Sequence, residues 1–235
     1  MKVLISPKSI EEAKNAVEGG ADIIDVKRPE EGSLGANFPL VIRQIRKIVP
    51  KNIKLSATLG DCGNKPGSIV QSAVGAAFAG ADFVKMGFYA FSNLKDVQFV
   101  LENTVKNIKE FFPKVKVIAA GYADYKYIGS VCPLDFVEVC KKSGAHGVLI
   151  DTFRKDQGGL FDYFDVNQLK IFVNSLRKDN LISALAGRIS EKDLDKLKKI
   201  NPDIIGVRSI VCEGPRIEGK ITARKVKEFI QKVKQ

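Results

Sequence analysis

Gly20-Ala21-Asp22-Ile23-Ile24-Asp25-Val26-Lys27 is the stretch on which the fold turns. Glycine at its head suits the left-handed position that closes a helix, and the β-branched run behind it suits a strand. Alternate strand residues face opposite ways, so Ile23, Asp25 and Lys27 share one face while Ile24 and Val26 share the other. The same heading returns at Gly80-Ala81-Asp82 and Gly144-Ala145-His146. Asn201-Pro202-Asp203 reaches the same end by another route, because proline forbids further helix.

Around that stretch, short strand-like runs alternate with longer segments of helical spacing, the pattern of βα units on a parallel sheet. Eight runs are placed, at 3–6, 22–27, 54–59, 83–87, 115–121, 147–152, 181–187 and 203–209, with a closing helix over about 222–234. No Pro- or Ser-rich linker divides the 235 residues, of which 45% are hydrophobic and 28% charged. The expectation is an α/β chain forming one domain over 1–235, a single (β/α)8 TIM barrel. An open doubly wound sheet shares the alternation. Its G-x-G-x-x-G after the first strand is missing, and Pro7-Lys8-Ser9 stands there instead.

Strand parity then selects residues. Asp25 and Lys27 point into the barrel near the C-terminal ends of the strands, where barrel active sites are built. The run at 83–87 sends Phe83 and Lys85 inward, and the run at 147–152 sends Leu149 and Asp151 inward, with Arg154 and Lys155 on the loop above. Burying such charges costs several kcal/mol unless they are paired, so either Asp–Lys salt bridges cap the barrel or the residues carry chemistry. The last two runs end in Gly187-Arg188 and Arg208-Ser209, where this fold commonly holds phosphate on backbone amides. Arginine can add a bidentate grip, unless these two pair with nearby acids.

His146, the single histidine, precedes a strand and falls at the opposite end of the barrel, where a structural role is expected. Four scattered cysteines without a C-x-x-C pair argue against zinc and against a disulfide framework, and neither metal nor cofactor is expected. Cys132 and Cys140 read as core residues, Cys62 and Cys212 as loop residues. Acid–base work is therefore left to Lys, Asp, Tyr or Cys. In a cleft with other cations an ammonium is disfavoured, so Lys27, crowded by Lys85 and Lys155, is the expected nucleophile toward a carbonyl. The iminium so formed yields an enamine that adds to an aldehyde, which is aldolase chemistry suited to sugar phosphates.

The formal charge of +11 falls largely on helical stretches such as 192–199 and 225–234, which hold a single aromatic, Phe229, and so no stacking platform, as expected of solvated helix faces. No apolar run approaches the roughly 18 residues that cross a bilayer, and the segment 1–7 is too short for a signal sequence, so a cytoplasmic protein is expected. The expected partner is a small-molecule sugar phosphate, which the family resemblance below narrows to a triose phosphate, with no nucleic acid and no membrane, and a homo-oligomer is left open.

Asp25-Val26-Lys27-Arg28-Pro29 followed by Gly32-Ser33-Leu34-Gly35-Ala36 resembles the (5-formylfuran-3-yl)methyl phosphate synthases of methanogens. The likeness continues through Ser56-Ala57-Thr58-Leu59-Gly60-Asp61, Val84-Lys85-Met86-Gly87 and Leu149-Ile150-Asp151-Thr152 with Lys155. The resemblance implies condensation of two molecules of glyceraldehyde 3-phosphate with loss of phosphate and water, in methanofuran biosynthesis. It implies Lys27 as Schiff-base lysine and Lys85 as proton acceptor, assisted by Asp25, Asp151 and Lys155. Two other readings stay open: another Schiff-base aldolase acting on sugar phosphates, and a basic barrel scaffold that binds nucleic acid with steep salt dependence.

Overall fold

The computed structural model describes residues 1–214 and 218–235. Eight parallel strands close into a barrel in chain order: β1 (Lys2–Ile5), β2 (Ile23–Val26), β3 (Lys54–Thr58), β4 (Phe83–Gly87), β5 (Lys116–Tyr122), β6 (Gly147–Asp151), β7 (Ile182–Leu185) and β8 (Ile204–Val207). β1 pairs with both β2 and β8, which excludes the open sheet. The helices are α1 (Ile10–Glu18), α2 (Pro39–Ile48), α3 (Pro66–Phe78), α4 (Leu94–Phe111), α5 (Phe136–Ser143), α6 (Leu160–Tyr163), α7 (Val166–Lys178), α8 (Leu194–Ile200) and α9 (Ala223–Lys234).

Local chemistry sets the ends. Ser9, Asn93, Asp165 and Thr222 each accept a backbone N–H at a helix start, while Pro39 and Pro66 open their helices where a missing N–H costs nothing. Gly20 (φ +92°) and Gly80 (φ +108°) turn their helices back toward strands, and Asn201 (φ +54°) substitutes for glycine before β8. A two-stranded hairpin, β9 (Cys212–Glu213) with β10 (Lys220–Ile221), and the short α6 lie outside the elements expected from sequence. Two-residue strands and a single helical turn are too short to show their period.

Parity separates two hydrophobic layers. Ile24, Val26, Val84, Met86, Val148 and Ile150 pack outward in the layer beneath the helices. Leu4, Ile23, Ile118, Ala120, Tyr122, Leu149, Ala184 and Ile204 fill the barrel itself, with Phe83 against them. The inner filling leaves the polar members of the same strand faces at the C-terminal end.

Candidate active site

Asp25, Lys27, Lys85 and Asp151 all reach that end, each no more than 6% exposed. Asp25 stands opposite Ser56 in register, and Thr58 opposite Lys85, so β2, β3 and β4 bring their polar faces together. The Lys85 ammonium lies 2.8 Å from Asp25 Oδ2, and the Ser6 hydroxyl donates to the same oxygen at 3.0 Å. Asp25 Oδ1 and Ser56 Oγ, both buried, have no hydrogen-bond partner among the described residues. Lys27 sits one residue beyond β2 on the Asp25 face and shares a cavity wall with Lys85, Asp151 and Lys155.

A second ion pair joins Lys155 to Asp151 Oδ1. Thr152 N–H donates to that oxygen at 2.8 Å, and the Ser33 hydroxyl spans to Thr152 O at 2.8 Å and Asp151 Oδ2 at 3.4 Å. Burial alone would raise the Asp151 pKa. The ammoniums of Lys155 and Lys27 outweigh it and hold the carboxyl at about 2, so Asp151 is an anion at any working pH.

The loops after β7 and β8 close the other side of the cavity, which Gly187, Arg188, Arg208 and Ser209 help to line. Gly187 is buried at φ +104°, a left-handed turn that aims the chain at the cavity, and Arg188 behind it is exposed. Ser209 opens a single 3-10 turn. The N–H groups of Gly187, Arg188 and Ser209 have no acceptor among the described residues. Arg208 is placed differently: its buried guanidinium forks onto Glu12, at 2.7 and 3.0 Å, and donates to Ser6 O at 2.8 Å. Glu12, from the first turn of α1, also accepts Lys8 N–H at 2.7 Å, so this pair ties the β1 and β8 loops together.

Sequence reasoning missed four contributors. Tyr122 is the inward-facing last residue of β5, one position beyond the expected end of the fifth run; carrying the parity of Ile118 and Ala120 forward finds it. Its hydroxyl donates to Asp61 Oδ1, and Leu34 N–H donates to Asp61 Oδ2 at 3.0 Å. Asp61 lies on a loop and Glu12 on a helix face, where no period separates a buried acid from a solvated one. Ser33 gives no signal of its own.

Outside this end, His146 stands at the N-terminal side, where its Nδ1 accepts Val117 N–H at 3.1 Å. Burial, then the nearby Lys116 charge, pulls its pKa down, so the imidazole is neutral and able to accept. Burial pushes the Cys140 thiol up to about 12. Cys212 is also buried, in β9 rather than on an open loop. Among the described residues no group of three or more His, Cys, Asp or Glu side chains could hold a metal ion, and no helix is long and apolar enough to cross a membrane.

Comparison with known proteins places this arrangement. The chain is similar to the (5-formylfuran-3-yl)methyl phosphate synthase of Archaeoglobus fulgidus, 51% identical with 92% of each chain covered. It is similar to that of Methanocaldococcus jannaschii as well, 44% identical over 97% of this chain and 98% of the relative. Among solved structures, a KGPDC from Streptococcus mutans aligns at TM-score 0.66 with 13% identity, covering 99% of this chain and 97% of that one. A phosphoribosyl anthranilate isomerase from Thermus thermophilus gives 0.66 at 16% identity, covering 100% and 98%. These distant likenesses concern the barrel alone. A family model described as 4-HFC-P synthase matches residues 3–230, and the chain belongs to that family.

Proposed function

We propose that the protein is a cytoplasmic Schiff-base-forming lyase, a (5-formylfuran-3-yl)methyl phosphate synthase that condenses two molecules of glyceraldehyde 3-phosphate for methanofuran biosynthesis. The observation that carries this reading is the lysine cluster at the barrel mouth: Lys27, Lys85 and Lys155 line one cavity, the last two held by Asp25 and Asp151. Membership of the family supplies the product.

Lys27 is the nucleophile. Its unprotonated amine attacks the carbonyl of a triose phosphate, and loss of water leaves an iminium. The product skeleton dictates the next bond. Its phosphorylated methyl branches from the ring, so the new carbon–carbon bond joins the middle carbon of one triose to the terminal carbon of the other, the one that has shed its phosphate. An iminium on the ketone isomer makes that middle carbon electrophilic, and phosphate elimination from the second triose gives an enol whose terminal carbon attacks it. This reverses the enamine-plus-aldehyde step expected from sequence, which would give an unbranched chain. Elimination of the Lys27 amine from that carbon frees the enzyme, ring closure and dehydration complete the furan, and two triose phosphates less one phosphate and two waters match its composition.

Lys85, once its ammonium has given a proton up and stands beside Asp25 as the free amine, is the proton acceptor, and Lys155 with Asp151 completes the charged wall facing the substrate. The N–H groups of Gly187, Arg188 and Ser209, with the Arg188 side chain, receive phosphate. Arg208, shared with Glu12, lends charge and holds the loop.

Product analysis tests this reading. Incubation with glyceraldehyde 3-phosphate should yield a furan aldehyde monophosphate and one free phosphate per product. A six-carbon adduct that retains both phosphates would make the protein a different aldolase. No turnover, together with salt-sensitive nucleic-acid binding, would remove the enzymatic reading.

A further inference from the structure

A third carboxylate approaches the lysine cluster from outside the cavity wall. Asp61, on the loop after β3, lies close enough for its ionisation to respond to Lys27 and Asp151. One of its oxygens takes the Tyr122 hydroxyl from the end of β5, and the other takes Leu34 N–H from the loop after β2. Space for it is reserved by two glycines: a side chain on Gly32 would collide with Asp61, and one on Gly87 would collide with both Asp61 and Tyr122. Gly32 also adopts φ +132°, which L residues avoid.

The next link runs through Ser33, the neighbour of Leu34, whose hydroxyl donates to Thr152 O at 2.8 Å and lies 3.4 Å from Asp151 Oδ2. Asp151 in turn holds Lys155. The buried Tyr122 ring meets Phe153 edge-on, centroids 5.5 Å apart, two residues before Lys155. The Tyr122–Asp61 contact thus stands where the loops after β2, β3, β5 and β6 converge.

We propose that Asp61, oriented by Tyr122, is a positioning residue: it locks the loop after β2 so that Ser33 holds the Thr152 peptide, whose N–H fixes Asp151 and with it Lys155, aimed into the cavity. The lock stands on contacts alone, while its kinetic consequence rests on the catalytic reading above. The titratable groups facing Asp61 are Tyr122 from β5, Lys27 from the end of β2 and Asp151 from β6, with Cys62 next in the chain. Burial raises the Asp61 pKa, and the Tyr122 hydroxyl acts against that rise. Removing the hydroxyl therefore lets Asp61 take up a proton at higher pH.

Tyr122→Phe, which keeps the ring packing, is the test. Amide hydrogen exchange should quicken in residues 32–35 and 152–155, where the lock acts. The kcat should fall about tenfold with KM within about twofold, and the acid limb of the kcat profile should move to higher pH. Asp61→Asn should lose kcat to a similar extent while retaining Lys27 trapping by borohydride. Unchanged exchange in both segments overturns the lock, and a lower kcat with an unmoved acid limb reduces Tyr122 to packing and overturns the proposal equally. Should the wild-type protein fail to turn over glyceraldehyde 3-phosphate, the catalytic reading falls, while hydrogen exchange still decides the lock.

Discussion

Asp22 immediately precedes β2 and Asp25 lies toward its C-terminal end, and their partners differ in kind. Asp22 accepts Val3 N–H at 2.8 Å, a main-chain donor at the bottom of the barrel. Asp82 does the same for Leu55 N–H at 2.8 Å and Asp203 for Ser183 N–H at 2.8 Å. His146 takes the fourth place with Val117. Each residue precedes an even-numbered strand and caps the odd-numbered strand before it, so donors that would otherwise lack a partner are satisfied around the ring. Asp82 there also pairs with Arg46 and Lys54 at the half-exposed rim. At the top, by contrast, Asp61 and Asp151 add to a main-chain N–H, and Asp25 adds to the Ser6 hydroxyl, a tyrosine or lysine side chain of the barrel mouth. Buried ion pairs repay little of their desolvation cost as stability. One residue type therefore serves closure at one end and, on our reading, chemistry at the other.

Substitutions at the two ends should separate these roles. The largest effect is expected from Lys27→Arg, which keeps the charge but cannot supply an unprotonated amine, so turnover should vanish while the thermal transition stays in place. Lys85→Arg should also stop product formation yet leave Lys27 able to capture substrate, which single-turnover trapping would reveal. Substantial turnover by Lys27→Arg would mean that the two lysines must exchange roles.

Arg208→Ala sharpens the border between the ends. Because Glu12 is buried and loses the guanidinium fork, a destabilisation of about 3–5 kcal/mol is expected in urea unfolding, with a rise in KM alongside. If only KM rises, the arginine is a phosphate ligand and its bond to Glu12 is incidental. The smallest effect belongs to the bottom: Asp22→Ala should cost about 1–2 kcal/mol by leaving Val3 N–H unsatisfied, with kcat and KM unchanged. A loss of kcat there would show that the two ends are coupled.

The barrel is legible because strand parity and the helix-ending glycines repeat, and repetition survives errors of a residue at any boundary. The inward set Asp25, Lys27, Lys85 and Asp151 comes from the same parity, and the structure brings all four to one end. The contributors beyond reach come from loops and helices. Nothing in the spacing around Glu12 marks it as the partner of Arg208, 196 residues away, because the contact exists only after β1 and β8 close the ring. The cap at the base of the strands is visible as a recurring Asp or His, but the pattern marks it only as a near neighbour of the helix-ending glycine. Tyr122 falls one residue beyond the expected end of its strand.

Borohydride reduction of the wild-type protein in the presence of glyceraldehyde 3-phosphate, followed by peptide mass mapping, examines the covalent step itself. A reduced triose phosphate adduct on Lys27, absent from Lys27→Arg, is the expected result. An adduct on Lys85 or Lys155, or no substrate-dependent adduct under conditions of turnover, would contradict the assignment of Lys27 as the nucleophile.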